Sequence, residues 1–170
     1  FIFTKGNADA IPTYEYSLLY QHSTTKFLFS VSNGTINGGP TSDTFGTPST
    51  GKWYLVIGKH DSVANTVGIS VNGGVVDTIS YSGGIQDSTG AFQIGRHAAG
   101  KYHDGRAART AIWPRVTTAA EDTDLYNAGN GLNKASLDAH ATLNDYTEGW
   151  DLNESSGNAL SHTGSNDLTD

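Results

Sequence analysis

Arg96, His97, Lys101, Tyr102, His103 and Asp104 make up the most polar aromatic loop in the chain. A tyrosine ring can stack on the apolar face of a sugar, while guanidinium and imidazole N–H groups donate to its hydroxyls. The same residues would also make an ordinary solvated turn. A zinc ion there would need a third well-placed ligand, and no other residue is singled out for the role.

Acidic residues are densest at Glu121, Asp122 and Asp124. Glycoside hydrolysis needs two carboxylates facing a sugar at a set separation. These three fall instead in the first turns of an expected helix, where the positive helix end accounts for them. Asp151 and Glu154 differ in strand parity, so they point to opposite faces and form no pair. Ser, His and Asp are plentiful, but there is no Gly-x-Ser-x-Gly elbow. With no catalytic set assembled, the expectation is a protein that is not an enzyme.

The rest of the sequence describes what must hold such a loop. The 170 residues carry a formal charge of -7, with 36% apolar and only 16% charged residues, 21 glycines and no cysteine. This is the composition of short strands joined by frequent turns, on a scale that suits one sandwich or barrel. The ten Lys and Arg residues are scattered, so a nucleic-acid partner is not expected. No apolar run approaches the roughly 20 residues that cross a bilayer, so membrane insertion is not expected either. Without cysteine there is neither a disulfide framework nor a thiolate metal site. Phe1-Ile2-Phe3 reads as strand interior, and the chain is expected to be a segment of a longer polypeptide.

Tyr14, Tyr16, Leu18 and Tyr20 alternate with polar residues, and Phe27, Phe29 and Val31 repeat the period of two, which predicts a hairpin closed by residues 22–25. Residues 34–51 read as a long surface loop. The strongest apolar strand is 52–60, with Trp53, Leu55 and Ile57 on one face, Tyr54 and Val56 on the other, and both faces covered. Val67, Ile69 and Val71 form the next strand, turned by Asn72-Gly73-Gly74. Further strands are expected at Phe92–Ile94 and at Ala107–Trp113, the latter stopped by Pro114. Thr118 and Glu121 have capping-box spacing for a helix ending at Gly129, with Leu125 and Tyr126 facing the sandwich. A second short helix is expected over 134–143.

Read in order, KWYLVIGKHDSVANTVGISVNGG, AFQIGRHAAGKYHDGRAARTAIWPR and the terminal LYNAGNGL resemble the concanavalin A-like, laminin G-like domain superfamily in its bacterial and viral branch. The resemblance covers about residues 14–132 and implies an all-β, antiparallel two-sheet jelly-roll sandwich with one or two short helices. Domains of this kind begin with W-x-L-x-E-x-SG, which Trp150, Leu152, Glu154, Ser156 and Gly157 match. Two readings of that tail stay open. Residues 1–145 are expected to form the sandwich; either 146–170 begin a following repeat, in which case the first strands of this domain would lie before Phe1, or they close the same sandwich as a permuted first strand. The family also implies calcium in its loops, for which Asp104, Asp61 and Asp87 are candidates. The usual DG-x-x-D pattern, however, has Ala108 in place of its second acid, so Asp104-Gly105 reads as a turn and no cofactor is expected. The sequons Asn33-Gly34-Thr35 and Asn153-Glu154-Ser155 matter only in a glycosylating host.

The resemblance implies a lectin-like recognition or adhesion module of an extracellular, cell-surface or virion protein, one part of a larger multidomain or oligomeric assembly. It would contact a glycan or a neighbouring subunit through Arg96, His97, Tyr102, His103 and Asp104. The alternative is a purely structural module joined to others by strand exchange, and a glycoside hydrolase ranks last.

Overall fold

A computed structural model describes residues 1–6, 14–97, 101–153, 159, 161–164 and 168, and of His97 and Lys101 it describes the backbone. The chain divides into two compact units, Phe1–Arg106 and Ala107–Asp170. The first unit contains β1 (Phe3–Gly6), β2 (Tyr14–Gln21), β3 (Lys26–Ser32), β4 (Asn37–Gly38), β5 (Val56–Asp61), β6 (Thr66–Val71), β7 (Asp77–Ser80), β8 (Phe92–Ile94), β9 (Arg96–His97) and β10 (Lys101–Tyr102). A five-stranded sheet in the order β4-β3-β2-β1-β8 packs on a three-stranded sheet in the order β5-β6-β7, and the expected antiparallel sandwich is present.

The period of two in the sequence becomes register here. Leu18 pairs with Phe29 and Tyr16 with Val31, which puts these four side chains on the inner face. Val67, Ile69 and Val71 face them from β6, and Tyr81 completes the buried cluster. The two layers come close together at Gly58, where a Cβ would lie 2.2 Å from the Phe29 ring. Only glycine leaves room for that ring. On the other face of the five-stranded sheet, Thr4, Ser17 and Ser30 sit in register and are buried, which keeps the row small and polar.

The strand expected over 52–60 is shorter, and one of its faces is not covered as expected. Pairing begins at Val56, because Asn72 ends the ladder: its side chain accepts from Leu55 N at 3.0 Å and its own N–H donates to Leu55 O at 2.8 Å. Tyr54 and Val56 point inward with Gly58, which leaves Trp53 on the outside at 62% exposed. Trp53→Ala is therefore expected to change stability by less than about 0.5 kcal/mol in a urea melt, as at other exposed positions. Residues 34–51 hold more structure than a free loop: β4 pairs with β3, Ser42 N donates to Phe27 O, and Thr44 donates to Asp77 from both N and Oγ1.

The second unit contains β11 (Thr110–Ile112), α1 (Ala119–Tyr126), a 3₁₀ turn at Asn127–Gly129, α2 (Lys134–Asp138) and β12 (Glu148–Trp150). β11 is shorter than the expected 107–113, starting after the left-handed Arg109. The capping box of α1 forms as expected: Thr118 Oγ1 accepts from Glu121 N, and Glu121 Oε2 accepts from Thr118 N. The helix stops before Gly129, because Asn127 and Ala128 both take left-handed φ angles. α2 ends at 138 instead of 143, since the His140 imidazole accepts from Thr142 N and Leu143 N and turns the chain there. β12 pairs antiparallel with β11, Trp150 opposite Thr110 and Glu148 opposite Ile112. Within the tail motif, Glu154, Ser156 and Gly157 lie outside the described residues, as does most of the second sequon.

Candidate functional site

The polar aromatic loop is organised by a glycine turn. Gly95 adopts φ +74°, a conformation that favours glycine, donates from N to Ile2 O at 2.7 Å and accepts from His103 N at 2.8 Å. Between these two anchors, β9 and β10 form an antiparallel hairpin, with Tyr102 opposite Arg96 and Lys101 opposite His97. Directly opposed residues share a face, so the register brings Arg96 and Tyr102 to one side of the hairpin. The side chain of His97 lies outside the described residues. Thr4 Oγ1 donates to Arg96 O at 3.2 Å and ties the hairpin to β1.

Arg96 is exposed, and Tyr102 is 71% exposed. His103 is half-buried beside Gly105, where a Cβ would come within 2.7 Å of its Nε2. Burial lowers the His103 pKa below the usual histidine value, which favours the neutral ring. Asp104 and Arg106 are exposed at the hairpin base. The site thus offers a flat ring, a fixed cation, an imidazole and a carboxylate within a few residues.

Among the described residues, the candidate calcium ligands are not brought together. Asp61 Oδ1 is used in closing its own turn, accepting from Val63 N and Ala64 N at 2.9 and 2.8 Å. Asp87 and Asp104 lie on separate loops, and among the described residues no three His, Asp or Glu side chains gather in a metal-binding group. The acidic cluster of the sequence is bound up in structure. Glu121 receives a two-pronged contact from Arg115 at 2.8 and 2.9 Å, which holds its carboxyl well below the usual range. Asp122 accepts from Thr117 Oγ1 at 2.6 Å, and Asp124 lies 3.4 Å from His140.

Sequence reasoning missed a second set of rings, of which the two end members are exposed. Tyr20, Phe27, Tyr54 and Phe45 form a chain of edge-to-face contacts at 6.2, 5.7 and 5.5 Å. The register places this chain at the end of the five-stranded sheet where β2 stops and β3 starts, next to the start of β1 from which the β9–β10 hairpin hangs. Phe45, a lone aromatic among Gly, Thr, Ser and Pro residues, was the available signal.

Compared with known families, the chain matches over residues 1–121 a laminin G-type family model, described as the concanavalin A-like lectin/glucanases superfamily. No curated protein and no solved structure matches it.

Proposed function

The chain belongs to the concanavalin A-like lectin/glucanase superfamily, and from that membership we propose that it is a non-enzymatic recognition module that binds a glycan or a neighbouring subunit through the rim of its sandwich. Membership itself supports carbohydrate or partner binding in general. The observation that carries the finer reading is the Arg96–Tyr102 pair, exposed on a hairpin fixed at both ends by backbone hydrogen bonds. A rigid scaffold presenting such a pair loses little conformational entropy on binding. The setting is an extracellular, cell-surface or virion protein in which this chain is one module of a larger assembly.

Binding to a glycan array is the test. Tyr102→Ala is expected to weaken the best hit about tenfold and Arg96→Gln by several-fold, with unchanged melting temperatures, because both side chains lie in solvent. Full binding by the double variant would remove the hairpin from the interface.

A second reading, assembly by strand exchange, draws support from β12, which joins its unit through a three-residue ladder to β11. Dimers that form in proportion to concentration, together with no glycan binding, would favour it.

A further inference from the structure

The ring chain at the rim is more than a margin of the core. Phe27 in its middle is buried, whereas its end members Tyr20 and Phe45 are 39% and 37% exposed. The segment presenting Phe45 is held from several sides: Thr44 is bonded to Asp77, Thr25 Oγ1 and Thr47 Oγ1 are 3.0 Å apart, and the Tyr54 hydroxyl bonds to both Ser49 N and Ser49 O. Lys26, which precedes Phe27 on β3, donates from Nζ to Asp43 Oδ1 at 2.8 Å. Hydrogen bonds from Lys26 and then Thr41 keep Asp43 ionised to lower pH than a free aspartate.

We propose that Tyr20 and Phe45, flanked by Lys26, Asp43, Thr25 and Thr47, form a second carbohydrate contact that stacks a neutral sugar with equatorial hydroxyls, separate from the β9–β10 hairpin. The proposal rests on the recognition reading and names the ligand class of a different part of the same rim. Three features of the patch select that class. Flat rings complement the C–H face of such a sugar, while a carboxylate, an ammonium group and two hydroxyls complement its edge. The Lys26–Asp43 pair leaves no net charge, so an acidic sugar gains nothing there. Even with Trp53 added, the exposed ring surface is roughly 300 Å², well short of the roughly 800 Å² per partner that a stable protein interface buries.

Laminarin, hydroxyethylcellulose and xylan serve as probes in native affinity electrophoresis, followed by calorimetry on whichever retards the protein. The Tyr20→Ala/Phe45→Ala double variant is expected to bind about tenfold more weakly, and Asp43→Asn several-fold more weakly, with the Tyr102→Ala variant run in parallel. Asp43 is 64% exposed, so Asp43→Asn keeps the fold and decides the matter should the double variant unfold. Binding by Asp43→Asn and by a folded double variant within twofold of the wild type would overturn the Tyr20–Phe45 site, and loss confined to Tyr102→Ala would do so while leaving the recognition reading intact. Wild-type protein retarded by no polysaccharide and binding nothing on the glycan array would overturn both. Self-association abolished by the double variant would assign the patch to a second copy of the chain and also overturn the proposal.

Discussion

Phe29→Ala is expected to cost about 3–5 kcal/mol and to lower the melting temperature by about 15 °C or more. Phe29 is 6% exposed, and its ring spans the gap between the two sheets. On the β5 side nothing can fill the void, because the contact there is made by Gly58, which has no side chain to move. The same geometry makes a coupling testable. In the wild type, Gly58→Ala pushes a methyl group into the ring and should cost about 1–3 kcal/mol. In the Phe29→Ala background that methyl enters an empty space, so the cost should fall to near zero, a coupling of at least about 1 kcal/mol in a double-mutant cycle. Additive losses in chemical denaturation would mean that the two strands do not meet as described.

Where the sequence was legible, one face of an element was buried and the other was not. β2 and β3 show this: alternation specifies which side is inward, and Tyr16, Leu18, Phe29 and Val31 are there. The α1 N-terminus was legible because the capping box is a local hydrogen-bond exchange that needs no tertiary partner. Around Trp53 the pattern misled, since a continuous apolar run carries no parity information. Its faces were decided by contacts distant in sequence, Gly58 against Phe29 and Asn72 against Leu55. Helix ends failed for a related reason. His140 stops α2 by accepting two backbone N–H groups, a role that its residue type does not announce.

The site was half legible. Arg96, Tyr102, His103 and Asp104 could be picked out because polar and aromatic residues crowd one short stretch, yet only strand pairing shows that Arg96 and Tyr102 share a face. The ring chain was not legible, because its members come from four separate stretches that meet only when the β2–β3 hairpin and the segments carrying Phe45 and Tyr54 pack together. Binding surfaces on rims are assembled this way, from loops whose sequence records chemistry but not neighbourhood.

Trp150→Ala is expected to cost the second unit about 3–5 kcal/mol, the range for truncating a buried aromatic. Trp150 is 3% exposed and stands at the junction of three contacts: its backbone pairs with Thr110 on one side, bridges to Ser161 on the other, and follows Gly149, whose carbonyl accepts from His162 N at 2.7 Å. Glu148, two residues earlier, is 4% exposed and accepts from Thr163 Oγ1 at 2.5 Å and from Gly149 N at 3.0 Å. Losing the indole therefore removes more than its own area, because it loosens the strand that holds a buried carboxylate in place. Hydrogen exchange should read this directly: the amides of the β11–β12 ladder and of His162 should exchange at least about a hundredfold faster in the variant. Trp150→Phe should retain most of the protection, since a smaller ring still fills much of the space. Unchanged exchange in Trp150→Ala would show that β12 is held by its backbone ladder alone.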